Sequence, residues 1–70
     1  MMLKMGFVKW FNQAKGYGFI SPVDGSSEIY VSRNSIANTR NKSLNAGQSV
    51  EFTIYNSSTY GPAAADVIAF

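Results

Sequence analysis

Five stretches of this chain alternate between apolar and polar residues, and the segments between them are rich in Gly, Asn and Ser. Alternation with a period of two marks a strand with one face buried. Phe7–Phe11 is the first such stretch. Val8 belongs inside, while Phe7, Lys9 and Phe11 fall on the opposite face, where the Lys9 ammonium reaches water. Strict alternation turns Trp10 inward beside Val8. A bulge after Lys9 would turn it outward, and the pattern alone leaves both open. Tyr17–Ser21 is the second strand, ended by Pro22, with Ile20 inside and Tyr17 and Phe19 together on the other face. Asp24-Gly25 supplies a turn, because glycine takes positive φ without strain. Glu28–Ser32 repeats the arrangement: Ile29 and Val31 face one way, Tyr30 and Ser32 the other. Ser49–Tyr55 alternates cleanly, with Val50, Phe52 and Ile54 inward and Glu51, Thr53 and Tyr55 outward. Asn56–Gly61 is a polar turn. Ala63–Phe70 is the last strand, with Ala65, Val67 and Ala69 on one face and Asp66 and Ile68 on the other.

Asn34–Gly47 lacks any sustained period. Its apolar anchors are Ile36, Ala37, Leu44 and Ala46, set among Ser, Asn and Thr, so it reads as a long loop with at most a helical turn near Ser35–Ala37. Five short strands and no helix of useful length predict an all-β fold, a five-stranded antiparallel barrel, whose closure removes exposed strand edges. The expected core is Val8, Ile20, Ile29, Val31, Val50, Phe52, Ile54, Ala65 and Val67. With that core filled, Phe11, Tyr17, Phe19 and Tyr30 are left for the outside. Three neighbouring strands showing rings form a patch of the kind that marks a binding surface rather than a core.

Composition narrows what such a patch can do. Seventy residues make a single domain, 1–70, and a chain this short leaves much of its surface exposed. There is no cysteine and no histidine, which removes disulfides, thiolate ligands and the usual general base. The four acids, Asp24, Glu28, Glu51 and Asp66, are dispersed. An enzyme, a metal site and a bound cofactor are all disfavoured. The net charge is +2, with a pI near 9.2. That balance is mild, and the placement of the cations says more: Lys9 and Lys15 bracket the Trp10-Phe11 pair, and Arg33, Arg40 and Lys42 lie in one connecting stretch. The N-terminal Met1–Met5 lacks the apolar run of a signal peptide, and no segment is long enough to span a membrane, so the expectation is a soluble, cytoplasmic protein.

Lys15-Gly16-Tyr17-Gly18-Phe19-Ile20 concentrates the chemistry. Its two rings share a face, its glycines allow close approach of another chain, and its lysine stands at the entrance. Rings beside a cation suit the flat faces of unpaired bases and the phosphates that join them. A wholly buried strand is the plainer explanation of two aromatics, but Tyr30 and Phe11 add rings to the same outer surface.

The chain resembles the bacterial cold-shock protein family nearly end to end. The resemblance rests on Gly6-Phe7-Val8-Lys9-Trp10-Phe11-Asn12, on the hexamer at 15–20, on Ile29-Tyr30-Val31 and on Gly61-Pro62-Ala63-Ala64-Ala65-Asp66-Val67, in that order. The same hexamer occurs in RNA-recognition motif domains, but Pro22 falls where their pattern continues with an aromatic, and no sequence for two packing helices exists. The resemblance implies an OB-fold cold-shock domain that binds single-stranded RNA or DNA, of the RNA-chaperone or transcription-antiterminator type. It further implies that Trp10, Phe11, Tyr17, Phe19 and Tyr30 stack on bases, that Lys9 and Lys15 meet phosphates, and that Trp10 lies on the binding face. The chain departs from the family pattern at Ser32 and Arg33, which stand where a histidine and a phenylalanine are usual. It departs also at Asn41 for a loop aromatic, at Tyr60 for a basic residue and at Ala14 for an acid. Arg33 can stack and pair with phosphate, and Tyr60 adds a ring while removing a charge, so both join the expected site. The expectation is a monomer, with strand exchange between two copies allowed by the long loop. Two rivals use the same rings: a protein-interaction or assembly module with weakened nucleic-acid binding, and an oligosaccharide binder, which the flanking lysines disfavour.

Overall fold

The computed structural model describes residues 3–70. Met1 and Met2, part of the stretch read for a signal peptide, lie outside the described residues. Five strands follow in chain order: β1 Lys4–Asn12, β2 Tyr17–Pro22, β3 Ile29–Ser32, β4 Ser49–Ser57 and β5 Gly61–Ala69. They close into a barrel in the order β1-β2-β3-β5-β4. All neighbours are antiparallel except β3 and β5, which meet in parallel at Tyr30 and Ala63. No helix among the described residues is long and apolar enough to cross a membrane.

Alternation sets the interior of β2, β3 and the first half of β4. Ile20, Ile29, Val31, Val50 and Phe52 are buried and join Val8 and Val67 in one cluster. The expected core differs at the far end of the β4–β5 pair. Ile54 faces inward as expected, half-buried against that cluster, but Ala65 does not join it and Ala64 takes the interior place. The reason is a bulge: Glu51 pairs with Ile68 and Thr53 with Ala65, so Phe52 faces two residues, Asp66 and Val67. Asp66 takes the left-handed backbone at φ 52°, which shifts the facing of β5 by one residue. Thr53, expected outside, is buried, and its hydroxyl donates to the Ala65 carbonyl at 3.3 Å.

The stretch after β3 is more ordered than a loose loop. It opens as a 3-10 turn, Arg33–Ser35, capped by the Ser32 hydroxyl, which accepts from the Asn34 N–H. Ile36 then bridges to Val67, and the Asn38 amide bonds both the N–H and the carbonyl of Ala69 at 2.9 Å. Ile36 and Leu44, both buried, add to the core two residues that strand periodicity did not supply. The barrel thus has a side closed by this loop, and a β1–β2–β3 sheet left free on its outer face.

Candidate nucleic-acid interface

The site begins with an irregularity in β1. Val8 pairs with Ile20, but the next pair along is Trp10 with Phe19, so Lys9 is extra and bulges out. The bulge reverses the facing of everything after it. Trp10 turns outward and is 39% exposed. Phe11 turns the other way and packs against the interior cluster, opposite Gly18. Phe11 is therefore the one expected ring that the structure sets apart from the others; alternation turned it outward and left Trp10 open, and the bulge accounts for both.

Gly18 makes room for the bulged strand. A Cβ there would lie 2.2 Å from the Trp10 carbonyl oxygen and 2.7 Å from the Phe11 Cα. Gly18 and Ile20 are buried, which leaves Tyr17 and Phe19 on the outer face of β2. Tyr30 lies across from Phe19 on β3. The rings touch in a continuous patch. Trp10 lies 5.5 Å from Tyr17 and 5.4 Å from Phe19, and Tyr30 lies 5.9 Å from Tyr17 and 6.0 Å from Phe19. Tyr60, from the β4–β5 turn, stacks on Tyr30 at 4.1 Å with the planes 8° apart. Such offset and edge-on pairs hold one another's rotamers, so the platform is largely pre-ordered.

Lys15, Tyr17, Tyr30 and Tyr60 line a cleft of about 290 Å³, near the small end of ordinary ligand pockets. Burial holds the Tyr30 phenol above its ordinary pKa, reinforced by Tyr60 beside it. The ring is therefore neutral throughout the physiological range and does not repel an anionic ligand.

The cations differ in availability. Lys9 is exposed but ion-paired to Glu28 from the β2–β3 connection, a partner that sequence reading missed. Oppositely charged residues on facing segments were the available signal, but no local pattern joins positions 19 apart. An exposed pair of this kind contributes only about 0–1 kcal/mol, so a phosphate can compete for the lysine. Lys15 enters neither ion pair found among the described residues. It sits in a turn held by Asn12, which accepts from the Lys15 N–H and the Gly16 N–H. Arg33 is exposed, but its guanidinium donates to the Gln13 carbonyl and lies against Gly16. Its backbone N–H donates to the Gly16 carbonyl at 2.8 Å. Arg33 thus fastens the turn that carries Lys15. Among the described residues no group of His, Cys, Asp and Glu could hold a metal.

A closed five-stranded barrel with exposed rings on three adjoining strands is the architecture of a small nucleic-acid-binding domain. The family model for the 'Cold-shock' DNA-binding domain matches residues 4–70. The chain belongs to the cold-shock domain family, and its barrel is the OB-fold of that family. It is 54% identical over 63 residues to cold shock-like protein CspB of Escherichia coli, covering 90% of this chain and 87% of that protein. To cold shock-like protein CspE of the same organism it is 52% identical over 64 residues, covering 91% of each. A solved structure, Drosophila Unr CSD456, superposes with a TM-score of 0.79 at 16% identity over 99% of this chain. The chain spans 27% of that longer one, and the likeness bears on the fold alone.

Proposed function

We propose that this protein binds single-stranded RNA or DNA by stacking unpaired bases on Trp10, Tyr17 and Phe19, with Tyr30 held beside them and Lys9 and Lys15 meeting the phosphates. The observation that carries this reading is the unbroken contact of those rings on an outer face, with Lys15 lining the cleft beside them and Lys9 in the bulge next to Trp10. Arg33 holds the Lys15 turn in place, and Phe11 supports the platform from the core side. Binding needs no covalent chemistry. A single strand captured on the rings is withdrawn from duplex or hairpin by mass action, which is how an RNA chaperone or antiterminator would act. Preference among bases is mild, because every base has a π-face.

Fluorescence of Trp10 during titration with a short pyrimidine oligonucleotide tests this directly. Quenching is expected, and truncating Tyr17 or Phe19 to alanine weakens binding by about 1–3 kcal/mol each. With Lys9 and Lys15 engaged, log K falls with log salt at a slope of roughly −1.4. A surface that docks a protein instead leaves Trp10 unresponsive to the oligonucleotide, and that result would overturn the reading.

A further inference from the structure

The ring surface does not stop at β3. Ala63 of β5 pairs with Tyr30 on one side and Tyr55 on the other, so all three point to the same side of the sheet. Tyr55 is 46% exposed, which makes that side the outer one. Yet Ala63 is 0% exposed and takes no part in the interior cluster, whereas its neighbour Ala64 does. A methyl group on the outer face that water cannot reach is covered from that face. Tyr30, Tyr55 and Tyr60 are the rings in position to cover it.

Tyr30 itself is poorly placed to receive a base. Tyr60 lies against it at 4.1 Å, nearly parallel. A base inserted between them would need about twice the 3.5–4.0 Å contact distance. The far side of Tyr60 is open, since that residue is 57% exposed. Its position is set by a tight hairpin. Ser57 pairs with Gly61, the Ser57 hydroxyl accepts from the N–H groups of Thr59 and Tyr60 at 3.2 Å, and Gly61 supplies the left-handed turn at φ 70°. The opposite end of β3 offers no comparable surface: Ser32 is spent capping the 3-10 turn, and Arg33 is fastened to the Gln13 carbonyl.

We infer that the bound strand leaves the β1–β2–β3 face over the β4–β5 hairpin, where the outer faces of Tyr60 and Tyr55 give two further stacking positions and Tyr30 serves as the backing ring. The inference rests on the base-stacking reading above and extends its footprint. Continuity argues for the same occupant. The Tyr30–Tyr60 stack joins the hairpin to the patch, and the cleft it forms already contains Lys15.

The test is a series of thymidine oligonucleotides lengthened one nucleotide at a time, titrated against the unaltered protein, Tyr60→Ala and Tyr55→Ala, with Tyr60→Phe and Tyr55→Phe as controls. Each alanine variant is expected to bind the shortest oligonucleotides that quench Trp10 as the parent does. Each is expected to bind the longest ones roughly 5- to 150-fold more weakly. The phenylalanine variants keep the parent's affinities, and thermal unfolding verifies that all four variants fold. Unchanged affinity at every length in both alanine variants overturns the extension. So does tighter binding by Tyr60→Ala, which would make that ring a lid over Tyr30. A loss equal at all lengths also overturns it, since that reports damage to the main patch. If Trp10 of the unaltered protein is not quenched by any length, the base-stacking reading itself fails, and the extension with it.

Discussion

Two strands of this barrel carry a bulge, and the two bulges serve different ends. In β1 the extra residue is Lys9, and its effect is to turn Trp10 out and Phe11 in. In β5 the extra residue lies at Asp66–Val67, opposite Phe52, and its effect is to bring Ala64 and Val67 inside together. The first builds a binding face and the second completes a core. They also place their strain differently. The β1 bulge presses on its partner strand, which tolerates it only because Gly18 has no side chain. The β5 bulge holds the strain within itself, in the left-handed backbone of Asp66.

This difference predicts a hierarchy. The largest effect belongs to Gly18→Ala. The new methyl group would meet backbone, the Trp10 carbonyl at 2.2 Å and the Phe11 Cα at 2.7 Å, and backbone cannot rotate away. A loss of about 3 kcal/mol or more is expected, a large part of what so small a domain has. A urea midpoint near that of the parent would show that β1 does not press on β2 as the bulge requires. The β5 bulge should respond to backbone preference instead. Asp66→Val puts a β-branched residue at positive φ and is expected to cost about 1–2 kcal/mol. Asp66→Gly relieves the left-handed strain but loosens the unfolded chain, so those terms offset to within about 1 kcal/mol. Equal destabilisation by valine and glycine would mean that the carboxylate, not the backbone, matters there.

The bulges also mark where the fold was legible in the sequence and where it was not. Period-two alternation is a local signal, and it located the inner faces of β2, β3 and the start of β4 correctly through Ile20, Ile29, Val31, Val50 and Phe52. It fails wherever a strand gains a residue, because every later side chain changes face. Neither bulge announces itself with a glycine at its own position; Lys9 and Asp66 are ordinary polar residues. Alternation therefore left Trp10 undecided, put Phe11 on the outside and put Ala65 in the core. The outward rings of β2 and β3 were legible because glycine and aliphatic residues occupy their other faces. The Tyr30–Tyr60 stack and the Lys9–Glu28 pair were not, since each joins segments that only the closed barrel brings together. Ile36 and Leu44 escaped for a related reason: a loop buries side chains by its path, and that path has no period.

The smallest expected effect lies at the start of β1, on the other side of its bulge from Trp10. There the Lys4 ammonium bonds the Asp24 carboxylate at 2.7 Å, and Asp24 also accepts from the N–H and hydroxyl of Ser26. These contacts, the Lys4 bond foremost, hold the Asp24 carboxyl well below its ordinary value of 3.8. A carboxylate whose pKa falls on folding favours the folded state when ionised, so its contribution is complete above the unfolded value. That contribution fades as the pH drops from about 4 through the lower, folded pKa. The difference in stability between the parent and Asp24→Asn should accordingly be constant from neutrality down to about pH 5 and shrink toward zero in stronger acid. Because both partners are solvent-accessible, the difference is small, and added salt reduces it further. Urea midpoints of the two proteins measured across the acid range decide the matter. A gap that persists unchanged into strong acid would show that the Asp24 side chain acts through the turn geometry at Ser26 rather than through its charge on Lys4. The register of β1 before the bulge would then be set by backbone pairing alone.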